Sequence, residues 1–407
     1  MGSLATRIFR KLGKGFQYPA YWNLCKREIP ALSEAEKGKK RVLFVHPLMA
    51  LGGGERVTRD LLAGLDRERF VADMAVVCRN PLRPNLFENE LRAVADHLWD
   101  IPALVGSLFN VEFFAKLLKT RRYHHILWIG GNSYLHFLRP ILRRRCWGRS
   151  TYVIHNDWPE FLADAAQNQD ICDDFIAVCD YIREKLHAWE GVSKEKVTVL
   201  HNGIHTEVFD RSLYPKASYR PSLGISEDDF VVSYTTRLDA EKHPEYFLSI
   251  AEELSDLPQI KFILAGDGIL RETIRQQIEA AGLAERIFLP GMIYDVPQLL
   301  SESDLYCHCV RYEAWGLSIM EALSMGLPAV VTKVGGIPEF FEDGVHGRMI
   351  PYDDQTPHHA AEAIREIFSD PHRERYRAVN RARAEQFSVE RMVASYERQL
   401  LKTELDF

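Results

Sequence analysis

Two glutamates, Glu313 and Glu321, stand eight positions apart where an apolar run passes into a helical pattern. Residues 305–310 predict a strand, and residues 317–323 predict a helix. Glu313 is then expected in the loop that leaves the strand, and Glu321 about one turn into the helix. Two ionised carboxylates at such a corner suit a polyhydroxylated ligand, because they accept charge-assisted hydrogen bonds from hydroxyl groups. The alternative is an ordinary helix with solvated glutamates.

A pair of cations, Arg237 and Lys242, forms a second candidate group. Arg237 follows a predicted strand, and Lys242 precedes a predicted helix that has Pro244 in its first turn. Two cations beside a helix N-terminus form an anion site, and a planar guanidinium together with an ammonium suits a diphosphate. The alternative is a surface pairing with Asp239 and Glu241.

Glycine-containing turns follow further predicted strands. Gly266 and Asp267 belong to an Ala-Gly-Asp-Gly turn that lets a ligand approach the backbone closely, and the turn at Met292 and Ile293 offers backbone groups to a flat base. Residues 52–54 are glycines that place backbone N–H groups at a helix start, without the Gly-Lys-Ser/Thr of a Walker loop.

His155 ends another predicted strand and is followed by Asn156 and Asp157. A histidine at a strand end is either structural or, because strand ends line the predicted cleft, a ligand contact. Both interpretations stay open at this point.

Composition narrows the class of protein. The chain has 407 residues, which favours two or three domains, and 46% of them are hydrophobic. Its formal net charge of −6 gives no reason to expect nucleic acid as a partner. The seven cysteines form no C-x-x-C pair, so neither a disulfide framework nor a zinc site is indicated. Cys307 and Cys309 are expected on one buried face of a strand. A reducing, cytoplasmic compartment fits this cysteine usage.

Two basic segments indicate a possible membrane surface. Residues 4–16 form a basic amphipathic helix pattern, and residues 139–145 (RPILRRR) interleave arginines with apolar side chains. The alternative for the first segment is a helix docked on its own domain. No run of about eighteen apolar residues is present, so we expect a peripheral association with the cytoplasmic face of a membrane, if any.

The elements that must position these residues alternate between strand and helix throughout. The first series of predicted strands covers residues 41–46, 72–78, 125–129, 151–155, 175–179 and 197–200. The second covers residues 230–235, 261–265, 286–289, 305–310, 329–332 and 347–350. Each series predicts a doubly wound α/β domain, and residues 206–229 connect the two. The strand ends of both domains are expected to face a shared cleft.

The motifs, in chain order, are GGGERV, HND, HNGIHTEVF, TRLDAEKHPEYFL, LAGDG, PGMIYDVPQLLSESDL, EAWGLSIMEALSMGLPAVVT and VGGIPEF. Their combination resembles the retaining glycosyltransferases of family 4, from about residue 41 to the C-terminus. The resemblance implies the α/β GT-B fold, in which two Rossmann-like domains face each other. It implies an acceptor domain (41–205), a nucleotide-sugar donor domain (206–387) and a C-terminal helix that returns to the first domain (388–407). Residues 1–40 precede the resemblance, and their own pattern predicts a basic amphipathic helix and a linker.

The resemblance also implies a role for each matching residue. Arg237 and Lys242 would bind the nucleotide diphosphate, and Glu321 would bind the ribose hydroxyls. Glu313 would hold the donor sugar, together with backbone N–H groups of Ala314, Trp315, Gly316 and Leu317. Gly53, Gly54, Gly266, Asp267, Met292 and Ile293 would complete the donor site, and His155 would hydrogen-bond the donor sugar. The family's usual Gly-Phe-Gly after the first glutamate is Ala314-Trp315-Gly316 here, which puts the identity of the donor sugar in doubt.

The predicted reaction is transfer of a sugar from a UDP- or GDP-sugar to a hydroxyl of a glycan or lipid-linked acceptor, with retention of configuration. His155, Arg237, Lys242 and Glu313 are the predicted catalytic residues. No Asp-x-Asp occurs in the chain, so we expect cations and helix ends, not a metal cofactor, to offset the charge of the diphosphate. The alternatives are a non-hydrolysing UDP-sugar 2-epimerase and a GT-B scaffold without activity.

Overall fold

The computed structural model describes residues 28–47, 52–78, 87–105, 110–130, 135, 138–139, 142 and 148–402. The basic helix predicted over residues 4–16 lies outside these ranges. Of the second basic segment, residues 139–145, only Arg139 and Leu142 are described.

The first sheet contains seven parallel strands in the order β3-β2-β1-β4-β5-β6-β7. They are β1 (Lys40–His46), β2 (Phe70–Val76), β3 (Leu98–Asp100), β4 (His125–Ile129), β5 (Arg149–Ile154), β6 (Asp174–Ala177) and β7 (Val197–Val199). The sequence predicts all of these except β3, whose three residues are too few to show a strand pattern.

The second sheet contains six parallel strands in the order β10-β9-β8-β11-β12-β13. They are β8 (Phe230–Thr235), β9 (Ile260–Ala265), β10 (Ile287–Gly291), β11 (Leu305–His308), β12 (Ala329–Thr332) and β13 (Gly347–Ile350). In both sheets the strand order reverses beside the first strand of the domain, as in doubly wound folds. The predicted fold of two Rossmann-like domains is confirmed.

Helices connect the strands of both domains. In the first domain the described helices are α1 (Gly53–Gly64), α2 (Glu88–Val94), α3 (Ile101–Val105), α4 (Asn110–Arg121), α5 (Pro159–Gln167) and α6 (Asp180–Glu190). Those that follow are α7 (Tyr219–Leu223), α8 (Tyr246–Glu253), α9 (Arg271–Ala280), α10 (Val296–Ser301), α11 (Leu317–Ser324), α12 (Ile337–Phe340), α13 (Thr356–Ser369), α14 (Arg375–Ala384) and α15 (Val389–Leu401).

The last helix, α15, packs on the first domain. Its apolar side chains Met392, Val393 and Tyr396 belong to the same buried cluster as residues of β1, β2 and α1. The approach is close, because a Cβ atom at Gly64 would lie 2.6 Å from Val393 Cγ2. Among the described residues, no helix combines the length and the apolar character that crossing a bilayer requires.

One predicted helix begins later than expected. The sequence places Pro244 in the first turn of a helix that follows Lys242, but α8 begins at Tyr246. Lys242 ends a short 3-10 turn, and His243 then takes a left-handed conformation with φ 46°. That reversal lies between Lys242 and the start of α8, so the predicted helix start is two residues too early, whereas the anion site itself stays a prediction.

Candidate functional site

Five loops meet at the carboxyl ends of β8 to β12. Gly266 (φ 146°) and Gly335 (φ 55°) show how tightly they pack, because a Cβ atom there would lie 1.7 Å from Thr236 O and 1.6 Å from Glu313 O, respectively. β8 and β11 are neighbours at the reversal point of the sheet, which is where ligands of open α/β sheets bind.

Glu313 lies in the loop after β11, and its carboxylate has three partners. Lys242 Nζ donates to Oε2 at 3.0 Å, the Gly316 N–H donates to Oε1 at 3.1 Å, and His308 Nε2 lies 3.2 Å from Oε2. Burial alone would raise the pKa of Glu313, but Lys242 and His308 outweigh it and hold the pKa well below its usual range. Glu313 is therefore a fixed carboxylate at neutral pH.

His308 is a site residue that sequence reasoning missed. It lies on β11 between Cys307 and Cys309, whose buried thiols are 3.6 Å apart on the other face, as the alternation predicts. The imidazole packs edge-on against Tyr234 and contacts Glu313. Burial lowers the pKa of His308, and Glu313 opposes that shift. The signal was the same alternation that placed the thiols, since it turns His308 away from them.

Arg237 is in the loop after β8, but its described ion pairs stay within that loop. Its guanidinium pairs with Asp239 at 2.9 Å and lies 3.6 Å from Glu241, and its side chain is 53% exposed. This is the surface pairing that the sequence left as the alternative. The assignment of Arg237 to the diphosphate therefore stays a prediction.

The turn after β10 lies beside the loop after β9. The Gly266 N–H donates to Gly291 O at 2.8 Å, which brings Gly266 and Asp267 next to Met292 and Ile293. The Met292 side chain is exposed, whereas Ile293 packs on a small buried cluster. These four predicted donor residues thus form one surface, and their contact with a base stays a prediction.

Glu321 lies in α11, one turn from the helix start, and faces the first domain. Arg56 Nη2 of α1 lies 2.5 Å from Glu321 Oε1, and the Glu321 side chain is almost fully buried. A Cβ atom at Gly53 would lie 3.5 Å from Leu317 Cδ1. The N-termini of α1 and α11 therefore meet across the cleft, with Gly53 and Gly54 in the first turn of α1.

Trp315, the residue that departs from the family's usual Gly-Phe-Gly, is buried away from solvent. Its side chain is 2% exposed, stacks on His201 at 4.4 Å between ring centroids and packs against Phe387 at 5.2 Å. Its Nε1–H donates to Asn202 O at 3.0 Å. His201 and Asn202 follow β7, and Phe387 precedes α15, so the indole packs between the end of the first domain and the start of the returning helix. A role for the backbone N–H groups of Ala314 and Trp315 stays a prediction.

Glu339 of α12 also connects the two domains. Its carboxylate accepts hydrogen bonds from the backbone N–H groups of Asp180 at 2.9 Å and Tyr181 at 2.8 Å. These donors form the first turn of α6, whose N–H groups have no partner within the helix. Glu339 thus caps a helix of the opposite domain, a role that the sequence does not reveal because the two residues are far apart in the chain.

His155 follows β5 at the carboxyl edge of the first sheet. Both ring nitrogens are buried, and neither has a hydrogen-bond partner among the residues that the structure describes. Burial, and then the nearby His46, lower the pKa of His155 to about 4. A neutral, unpartnered imidazole at a strand end is suited to hydrogen-bond a ligand, because buried polar groups are normally paired.

The predicted membrane segment over residues 139–145 is described only at Arg139 and Leu142. Arg139 pairs with Asp170 at 3.0 Å and Leu142 is buried, so both contact their own domain. Membrane binding by either basic segment stays a prediction. Within the described ranges, no three His, Cys, Asp or Glu side chains group as metal ligands.

Two family models match consecutive parts of the chain. Glycosyltransferase Family 4 matches residues 51–208, and Glycosyl transferases group 1 matches residues 215–385. An Escherichia coli protein, UDP-Gal:alpha-D-GlcNAc-diphosphoundecaprenol alpha-1,3-galactosyltransferase, is 28% identical over 339 residues, which cover 78% of this chain and 85% of that protein. Alpha-D-kanosaminyltransferase of Streptomyces kanamyceticus is 33% identical over 159 residues, which cover 38% of this chain and only 40% of that protein.

Solved structures with the same fold include HepE of Anabaena in complex with UDP and glucose. It superposes with a TM-score of 0.75 at 23% identity, over 89% of this chain and 100% of that chain. Sucrose-phosphate synthase of Thermosynechococcus elongatus superposes with a TM-score of 0.73 at 20% identity, over 89% and 100% of the two chains. At these identities the similarity shows the GT-B fold alone.

Proposed function

The chain belongs to the group 1 glycosyltransferases of family 4, and we propose that it transfers a sugar from a nucleoside diphosphate to an acceptor hydroxyl with retention of anomeric configuration. The donor class is a UDP- or GDP-sugar. The galactosyltransferase relative is named for a UDP-sugar and a diphosphoundecaprenol acceptor, which supports a glycan or lipid-linked acceptor for this chain.

The observation that carries this proposal is the fixed ion pair between Lys242 and Glu313, 3.0 Å apart at the reversal point of the second sheet. It supports the proposal because a carboxylate that could accept hydrogen bonds from sugar hydroxyls lies beside a cation that could bind a diphosphate. Across the cleft, the first turn of α1 adds backbone N–H groups and the positive end of a helix dipole.

The reaction would proceed on one face of the donor sugar. The bond between the anomeric carbon and the diphosphate oxygen breaks as the acceptor oxygen bonds to that carbon from the same side. The acceptor proton passes to the diphosphate oxygen, so no protein nucleophile is required. Lys242, Arg237 and the helix ends would stabilise the leaving diphosphate, and no metal ion is needed in this proposal.

A panel of nucleotide sugars, assayed for transfer to lipid-linked glycans with and without EDTA, tests the proposal. We expect turnover with one UDP- or GDP-sugar, and no loss with EDTA. Arg237→Ala should reduce kcat about 100-fold or more, because a group that stabilises developing charge is removed. Arg365→Ala is the matched control, since Arg365 pairs with Asp256 on the surface and lies in α13. Near-normal turnover in Arg237→Ala would contradict the assignment.

A further inference from the structure

The ion pair between Arg56 and Glu321 joins the two domains across the cleft. Arg56 lies in the first turns of α1 and Glu321 in α11, and Nη2 and Oε1 are 2.5 Å apart. The Glu321 side chain is 3% exposed, whereas the Arg56 side chain is 39% exposed. The carboxylate is thus enclosed, while its cationic partner borders the open space between the domains.

Arg56 and the ribose of a bound nucleotide would compete for the carboxylate of Glu321. Under the proposed function, Glu321 accepts hydrogen bonds from the ribose hydroxyls of the donor, but Arg56 already occupies one of its oxygens. Removing a partner from a buried carboxylate is costly unless other donors replace it. A nucleotide whose ribose displaces Arg56 from Glu321 therefore has to supply both the replacement donors for Glu321 and a new partner for Arg56.

A nucleoside diphosphate can do both. Its ribose carries two hydroxyl donors, and its diphosphate is a strong anion that a guanidinium can bind through two parallel hydrogen bonds. The location fits, because Arg56 extends from the same helix end where Gly53 approaches Leu317 at the start of α11. Both helix ends favour an anion there.

We propose that Arg56 is a donor-binding residue that exchanges partners. It pairs with Glu321 when no nucleotide is bound, and it turns to the diphosphate when the ribose hydroxyls take its place on Glu321. The inference rests on the proposed function and extends it, because it assigns a diphosphate contact to the first domain and couples ribose binding to diphosphate binding.

The exchange predicts opposite effects on two ligands. A nucleoside without phosphate breaks the ion pair with Glu321 and offers Arg56 no anion in its place, so the pair opposes nucleoside binding; Asp60 and Glu90 are also near Arg56, but Glu321 is the carboxylate within hydrogen-bond distance. A nucleoside diphosphate replaces the lost ion pair, because its diphosphate is a new anionic partner for Arg56. Removing the guanidinium should therefore weaken the diphosphate complex and strengthen the nucleoside complex, a divergence that a purely structural role of Arg56 would not produce.

Isothermal titration calorimetry of the full chain tests this with UDP and GDP and with uridine and guanosine. For the base that wild type prefers, Arg56→Ala should lower the affinity for the nucleoside diphosphate about tenfold or more and raise the affinity for the nucleoside severalfold. Arg56→Lys, which keeps the charge but not the planar fork, should lie between wild type and Arg56→Ala. Arg59→Ala is the matched control on α1, because Arg59 pairs with Asp60 and Glu90 within the first domain, and it should bind both ligands like wild type.

Two outcomes would overturn the exchange: unchanged diphosphate affinity in Arg56→Ala, or an equal loss of affinity for both ligands. A folding defect is separable, because a misfolded variant cannot gain nucleoside affinity. If wild type binds neither UDP nor GDP, the proposed function itself fails and the exchange fails with it.

Discussion

The two glutamates at this site are each paired with a cation from a distant part of the chain. Glu313 is fixed by Lys242 and His308, and Glu321 by Arg56. Each carboxylate thus has a cation at hydrogen-bond distance, which is the arrangement expected where a charged ligand later competes for the same cations. His155 is the exception, since its ring nitrogens have no partner within the described residues.

His155 gives a prediction at the residue scale. Its folded-state pKa is about 4 and its ordinary value is 6.5, so the unfolded chain takes up the proton first on acidification. The stability contributed by the neutral imidazole is complete above pH 6.5 and is lost as pH falls from there towards 4. Urea unfolding at pH 7.5 and pH 5 should show a larger loss for wild type than for His155→Gln.

If His155 binds the donor sugar as predicted, His155→Ala should lose turnover, about tenfold or more, because that hydrogen bond is removed. His155 should contribute no step near pH 6.5 to the pH dependence of turnover. Around that pH, the profiles of wild type and His155→Gln should therefore have the same shape. Equal acid sensitivity of the two proteins in urea would contradict the burial of a neutral His155.

Residue types at the site could be predicted from the sequence, but their partners could not. Glu313, Glu321 and Lys242 stand out because they lie between predicted strands and the helices that follow them, at a sheet edge where ligands bind. Arg56 is in the quoted GGGERV motif, yet its pairing with Glu321 depends on how two domains face each other. Trp315 shows the same limit, since its position in the loop says nothing about the connecting segments it packs against.

At the scale of elements, the short loop between β11 and α11 serves both the cleft and the domain connection. Glu313 turns towards Lys242, while Trp315, two residues later, turns towards His201 and Asn202. Gly316 makes this possible with φ 83°, and its N–H closes the turn on Glu313. The loop thereby ties the position of the carboxylate to the position of the connecting segments.

Replacing Trp315 separates stability from donor choice. Trp315→Phe removes the Nε1–H donor and leaves the buried Asn202 carbonyl without it, which should lower the free energy of unfolding by about 1–3 kcal/mol. Trp315→Ala should cost about 3–5 kcal/mol, because a cavity forms. The preferred nucleotide sugar should stay the same in Trp315→Phe.

Trp189→Phe is the control, because Trp189 is 57% exposed and its change should have little effect on unfolding. Chemical denaturation measures the stabilities, and the donor panel measures preference. A changed donor preference with unchanged stability in Trp315→Phe would show that the indole acts on the sugar after all.

Elements with strong patterns were predictable, and short ones were not. The apolar runs of β1 and β8 are long enough to identify buried parallel strands. β3 has three residues, and α8 begins only after a left-handed residue that the pattern around Pro244 does not reveal. Such short features depend more on the packing around them than on the local sequence.

At the scale of the whole molecule, two crossing segments and a returning helix hold the domains together. Ile204 and Ser388 form a bridge where the segments run side by side, and a Cβ atom at Gly203 would lie 2.5 Å from Ser388 O. Glu339 and the Arg56–Glu321 pair add contacts across the cleft itself. The contacts at the crossing do not involve the cleft side chains that we assign to the donor, whereas the Arg56–Glu321 pair does.

A crystal structure of the wild-type protein with UDP or GDP, grown without added divalent metal, would show whether cations of the second domain bind the diphosphate. We expect the diphosphate about 3 Å from Lys242 and Arg237, with the ribose hydroxyls on Glu321. A diphosphate bound away from both cations, or held only through a metal ion and acidic side chains, would contradict this expectation.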